Sequence, residues 1–167
     1  MSKEIVNELG SALDNTAALI ESFNQEELNK VPFAGSWTAA QVARHIYLSL
    51  AGLDKLFNAP AEPANRPAGQ QVDEFKELMG NMDIKMQSPE YIVPEDKQFD
   101  KQDLIESLKD VKKIAVEAAI NTNLETVPPL EDGHPLKGVT KLELVHFLAY
   151  HNQRHNRQIK NIRSNVK

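Results

Sequence analysis

Proline ends helices, and the nine prolines of this 167-residue chain leave four long stretches untouched. Pro60, Pro63, Pro67, Pro89 and Pro94 fall together in one stretch, and Pro128, Pro129 and Pro135 in another. Pro32 stands with Gly35 in a third, shorter break. Between these breaks, apolar residues recur at three- and four-residue steps, the spacing of one helix face. The pattern predicts helices over 3–23, 38–57, 101–121 and 141–162. Ile5, Leu9, Leu13 and Ile20 face inward on the first, and Val42, Ile46, Ser49, Leu53, Leu56 and Phe57 on the second. Leu104, Ile105, Leu108, Val111, Ala115 and Ala119 do so on the third. Ser36 or Thr38 and Asp100 are placed as N-caps, and Thr140 with Glu143 has the spacing of a capping box. Gly52 inside the second helix is read as a mild cost or a close-packing site. No alternating run long enough for a strand and no internal repeat is present. The expected fold is all-α: a four-helix bundle forming one domain over 1–167, with a long crossover near 58–100. Within it, 59–70 reads as extended linker and 72–82 as a short helix.

Composition narrows the function. Nineteen Lys and Arg against 24 Asp and Glu give a net charge of −5, which argues against nucleic acid as a partner. Forty-one per cent hydrophobic residues suffice for a sizeable core. No stretch approaches the roughly 20 apolar residues of a membrane span, and the first residues have no signal-like apolar run. A cytoplasmic protein with no membrane partner is expected. There are no cysteines and five histidines. Disulfides, thiol nucleophiles and Cys-type metal sites are thereby excluded, so a transition-metal site must use His and carboxylates.

His151 and His155 are four residues apart, on one face of the fourth helix and one turn from each other. Leu144, Leu148 and Gln158 continue that face, so the pair points at the bundle interior. His45 lies on the inward stripe of the second helix, between Val42 and Ser49. A lone pair of this kind is more often structural than metal-binding, but buried imidazoles need partners, and three inward ones are harder to satisfy by packing. His146 falls about 140° round the helix from His151. It and His134, in a Gly-His-Pro loop, are left out of the site.

The segment Ser36-Trp37-Thr38-Ala39-Ala40-Gln41-Val42-Ala43-Arg44-His45 resembles the start of helix two in the DinB/YfiT-like superfamily, where a Trp precedes the first metal-binding His by eight residues. His151-Asn-Gln-Arg-His155-Asn-Arg-Gln158-Ile159 resembles that family's closing segment. The resemblance implies a four-helix bundle with a long crossover, a metal triad of His45, His151 and His155, and a divalent ion, usually zinc or nickel. It also implies frequent homodimers, and activities that include S-transfer or isomerisation with thiol cofactors and metal-dependent hydrolysis. Arg157 departs from the pattern, since many relatives have a small residue there.

Three neutral imidazoles leave an ion's charge undiminished and its coordination open, which suits activation of either a water or a substrate thiol. No HExxH motif supplies a glutamate base. Gln158 is a candidate for orienting a ligand or substrate, held equal with a bland polar role. Trp37 is expected to pack rather than to line a pocket. Met79, Met82, Met86, Tyr91 and Ile92 of the insertion are suited to a pocket wall or to capping the core. Arg154, Arg157, Lys160, Arg163 and Lys167 are read as answering the helix C-terminal dipole, with recruitment of an anionic substrate as the alternative. The leading expectation is a metal-dependent enzyme with a small-molecule substrate, such as a low-molecular-weight thiol. A non-catalytic bundle binding metal or a small ligand, and a dimerisation module, stand beside it.

Overall fold

The computed structural model describes residues 2–167. The chain is mostly helical. Its long helices are α1 (Ser2–Glu21), α3 (Ala39–Leu50), α6 (Lys101–Ile120) and α7 (Lys141–Val166). Three shorter ones, α2 (Gln25–Leu28), α4 (Leu53–Asn58) and α5 (Val72–Gly80), lie in the connections, as does a 3₁₀ turn at Glu90–Ile92. α1 and α3 each pack against both α6 and α7, α4 packs on α6, and α5 packs on α7. Leu9, Leu13, Val42, Ile46, Leu108, Val145 and Ile159 are all within 1% of complete burial. Each such side chain contributes roughly 1.5–3 kcal/mol by leaving water.

The helix starts are built as their sequences suggest. Thr38 and Gln41 form a reciprocal capping box on α3, as Thr140 and Glu143 do on α7, and Asp100 accepts from Asp103 N–H on α6. Thr38, not Ser36, is the cap. The expected continuous helix over 38–57 is interrupted. Ala51 ends α3 in an extended conformation and Gly52 starts α4 at φ +86°. A Cβ on Gly52 would meet nothing within 4 Å, so close packing is not its role. Its role is the left-handed backbone that turns the chain, which L side chains disfavour. The α2 turn was not expected, although Asn24 and Glu27 cap it reciprocally.

The two proline-rich connections meet as well. Glu62–Pro63 (β1) pairs antiparallel with Thr126–Val127 (β2), two residues each. Arg66, in the first connection, makes a two-pronged ion pair with Glu143 on α7, whose side chain is fully buried. Between α1 and α7 lies a polar cluster. Asn152 donates to the Thr16 hydroxyl at 2.7 Å, Thr16 lies 2.6 Å from Asn156 Oδ1, and Asn156 donates to Ala12 O at 3.0 Å. Asn152 and Asn156 each follow a histidine of the candidate pair by one residue, about 100° round the helix. Anchoring the asparagines on α1 therefore turns His151 and His155 away from it.

Candidate metal centre

α3 and α7 pack side by side, and their contact brings His45, His151 and His155 together. One ligand atom from each lies within 4.8 Å of the others, close enough for the three to hold one metal ion. His151 Nε2 is 3.1 Å from His45 Nε2 and 3.1 Å from His155 Nε2. The outer nitrogens decide what these contacts are. His45 Nδ1 lies 2.8 Å from the carbonyl of Ile92. A carbonyl only accepts, so His45 carries its proton on Nδ1 and turns a bare lone pair inward. His155 Nδ1 lies 2.7 Å from Gln158 Oε1, which fixes the same tautomer. Two lone pairs thus face His151 Nε2, which has at most one proton to give. One N–H satisfies one of them at best, whereas a cation satisfies all three nitrogens. The donor set fits a divalent ion.

Electrostatics agree with neutral ligands. Burial pushes His45 below its ordinary value, against the pull of the Ile92 carbonyl. Burial, reinforced by His155 and His45, pushes His151 well below it. Burial and then His45 bring His155 down to about 3. Imidazoles must be deprotonated to ligate, and these already are near neutral pH.

Two of the three, His151 and His155, line a cavity of about 1390 Å³, with His45 buried behind them. Phe147 stacks on His151, with ring centroids 5.8 Å apart and planes 16° from parallel. Phe75 of α5 packs edge-on against Phe147 at 5.3 Å. Trp37 lies 5.1 Å from His45. Packing was its expected role, and it does pack on the core, but it also lines the cavity. Met79, Met82, Met86, Tyr91 and Ile92 line the cavity too, as does Gln158. Two of the basic residues have a different job from the expected one. Arg154 donates to the carbonyls of Met79, Asn81 and Ile84, and Arg157 to that of Gly80. They tie down the end of α5 and the segment that follows it rather than the dipole of their own helix, and Arg157 is not on the cavity wall.

A family model described as the DinB superfamily matches residues 8–159. The chain belongs to the DinB superfamily. No curated protein and no solved structure matches it. The DinB match includes Trp37, all three histidines of the cluster and Gln158.

Of the other histidines, His146 faces away from the triad, as its angle on the helix predicts. It is nonetheless buried, with Nδ1 3.0 Å from the Tyr150 hydroxyl. His134 is different. It stands on the wall of the same cavity, hydrogen-bonded to Tyr91. Neither it nor the Ile92 carbonyl could be found by periodicity, since one sits in a loop and the other in a single 3₁₀ turn. In a DinB-superfamily chain the only sequence hint at His134 is a histidine inside an otherwise turn-forming Gly-His-Pro.

Proposed function

We propose that this chain is a metal-dependent enzyme that activates a small thiol for S-transfer, on a four-helix bundle with a crossover between its second and third long helices. His45, His151 and His155 are the ligands, and zinc or nickel is the ion. The observation that supports this most is the convergence of the three Nε2 atoms, two of them bare by tautomer, at the wall of a largely apolar cavity. When bound, the ion supplies an open coordination position at which a thiol or a water loses its proton more readily. Ile92 and Gln158 hold the outer protons of His45 and His155 in place, fixing the ring orientations. Trp37 and Phe147 keep the space beside the ligands apolar, which strengthens interactions there.

Hydrolysis is the second reading. It is less favoured because Glu90 is the one carboxylate on the cavity wall among the described residues. A water nucleophile benefits from a resident base, whereas a thiolate needs none once formed.

The experiment has two parts. Metal content and zinc or nickel titrations are followed by the emission of Trp37, the single tryptophan, in the wild type and in His151→Ala. Conjugation of a low-molecular-weight thiol to 1-chloro-2,4-dinitrobenzene is then measured with and without metal. Metal binding lost in His151→Ala, with metal-dependent conjugation in the wild type, is the expected outcome. Metal binding unaffected by His151→Ala refutes the triad. Metal binding without turnover of thiols or esters leaves a non-catalytic binding protein.

A further inference from the structure

On another part of the cavity wall, His134 and Tyr91 form a pair whose proton positions are fixed by backbone chemistry. Leu136 N–H lies 3.0 Å from His134 Nδ1. An amide N–H only donates, so Nδ1 holds a lone pair and the imidazole proton sits on Nε2. Two more backbone bonds, His134 N–H to Glu131 O and Lys137 N–H to His134 O, fold the loop around that residue. His134 Nε2 is 3.0 Å from the Tyr91 hydroxyl. Since Nε2 carries the proton, the imidazole donates and Tyr91 Oη accepts. The phenol's own proton is then left for a different acceptor. Tyr91 is 62% exposed, and both residues line the same cavity as His151 and His155. Tyr91 belongs to the 3₁₀ turn Glu90–Ile92 that also gives the Ile92 carbonyl to His45, so one turn places both the ligand's partner and the free hydroxyl. Leu130, Leu136 and Met82 also line that cavity and are apolar, as most of its wall is.

We propose that Tyr91 is a substrate-anchoring residue that donates its hydroxyl proton into the cavity, with His134 as the positioning residue that keeps that proton free. The substrate class that fits is an apolar molecule carrying an oxygen acceptor, a carbonyl or an oxyanion. The proposal rests on reading the cavity as the substrate pocket. It does not depend on the ion.

Two dyes with the same aromatic body test it on the metal-free full-length protein. 1-Anilinonaphthalene-8-sulfonate carries an oxyanion, and N-phenyl-1-naphthylamine lacks it. Energy transfer from Trp37 reports that a dye has bound, and the loss in Tyr91→Phe places it at the cavity. Tyr91→Phe is expected to weaken the sulfonate dye about tenfold, as for one hydrogen bond to a charged group, and to leave the other within about twofold. His134→Ala is expected to weaken the sulfonate dye about threefold, again sparing the other, because the hydroxyl loses its fixed orientation. Equal losses for both dyes in Tyr91→Phe, no loss for either, or no transfer from Trp37 to the sulfonate dye in the wild type would overturn the proposal. An unchanged sulfonate dye in His134→Ala would remove His134 from it. Because metal is absent throughout, a failed metal site leaves this result standing.

Discussion

Replacing Arg66 with methionine isolates a carboxylate that the fold has taken entirely out of water. Glu143 accepts four hydrogen bonds: from Arg66 at 2.8 and 2.7 Å, from Gln71 N–H at 2.7 Å and from Thr140 N–H at 2.9 Å. Burial alone would raise its pKa, but Arg66 and the two backbone donors win and hold it below the ordinary value. Methionine keeps most of the side-chain volume and removes both charge-assisted bonds. Breaking a buried pair from one side typically costs 3–5 kcal/mol, and since Arg66 is 21% exposed the lower end, about 3 kcal/mol, is expected. For a chain of this length that lowers Tm by about 6–12 °C. The sign with pH is also fixed. In the wild type the pair's contribution is present above the carboxylate's unfolded pKa and is lost as pH falls. In the variant the abandoned carboxylate takes up a proton more easily, which relieves its penalty. The gap between the two proteins should therefore be widest at neutral pH and narrow toward pH 4.5. Thermal and urea melts followed by circular dichroism at both pH values measure it. A deficit under about 1 kcal/mol at pH 7, or a gap independent of pH, would refute the reasoning. The consequence extends to the site. Glu143 holds Gln71 at the start of α5, Phe75 of α5 packs on Phe147, and Phe147 stacks on His151.

Three further outcomes are expected. Three ordinary imidazoles would lose metal affinity about 150-fold between pH 6.5 and 5.5 through proton competition. The triad's lowered pKa values leave little proton to expel, so calorimetry should find a fall of less than about tenfold, and one near 150-fold would contradict neutral ligands. Gly52→Ala forces an L side chain into the left-handed region and should cost about 1–2 kcal/mol, read from urea melts, although no atom obstructs the new methyl. Arg154→Leu strips donors from the carbonyls of Met79, Asn81 and Ile84, so amide exchange should quicken over residues 79–86 while α1 and α6 are unaffected.

The four long helices were legible because each presents an apolar stripe at helical spacing and opens on a Thr or Asp cap or lies clear of proline. The inward positions of His45, His151 and His155 followed from the same stripes, since a helix fixes direction from spacing alone. What was not legible depends on tertiary context. Gly52 is tolerated inside many helices, and nothing in the spacing marks the left-handed turn after which α4 packs on α6. The β1–β2 pair is two residues long, too short to show a period. Arg154 looked like a charge at a helix end because its partners are carbonyls 70 to 75 residues away. His134 and Tyr91 meet across 43 residues of chain, from segments with no periodicity to point them. The Asn24–Glu27 box was readable by the same rule that found Thr140 and Glu143 and was missed, because a four-residue helix leaves no apolar stripe to draw attention to it.

His45 takes its tautomer from the Ile92 carbonyl, and a carbonyl belongs to every residue type. An exchange of the side chain at 92 that preserves the backbone path leaves the acceptor in place, and the same holds for its neighbours on the turn. The side chains of the cavity wall can therefore change, residue by residue, without readdressing the proton of the imidazole behind it. On the proposed reading, specificity and ligation share one short turn, yet they are written in separate parts of it, side chains for the first and main chain for the second.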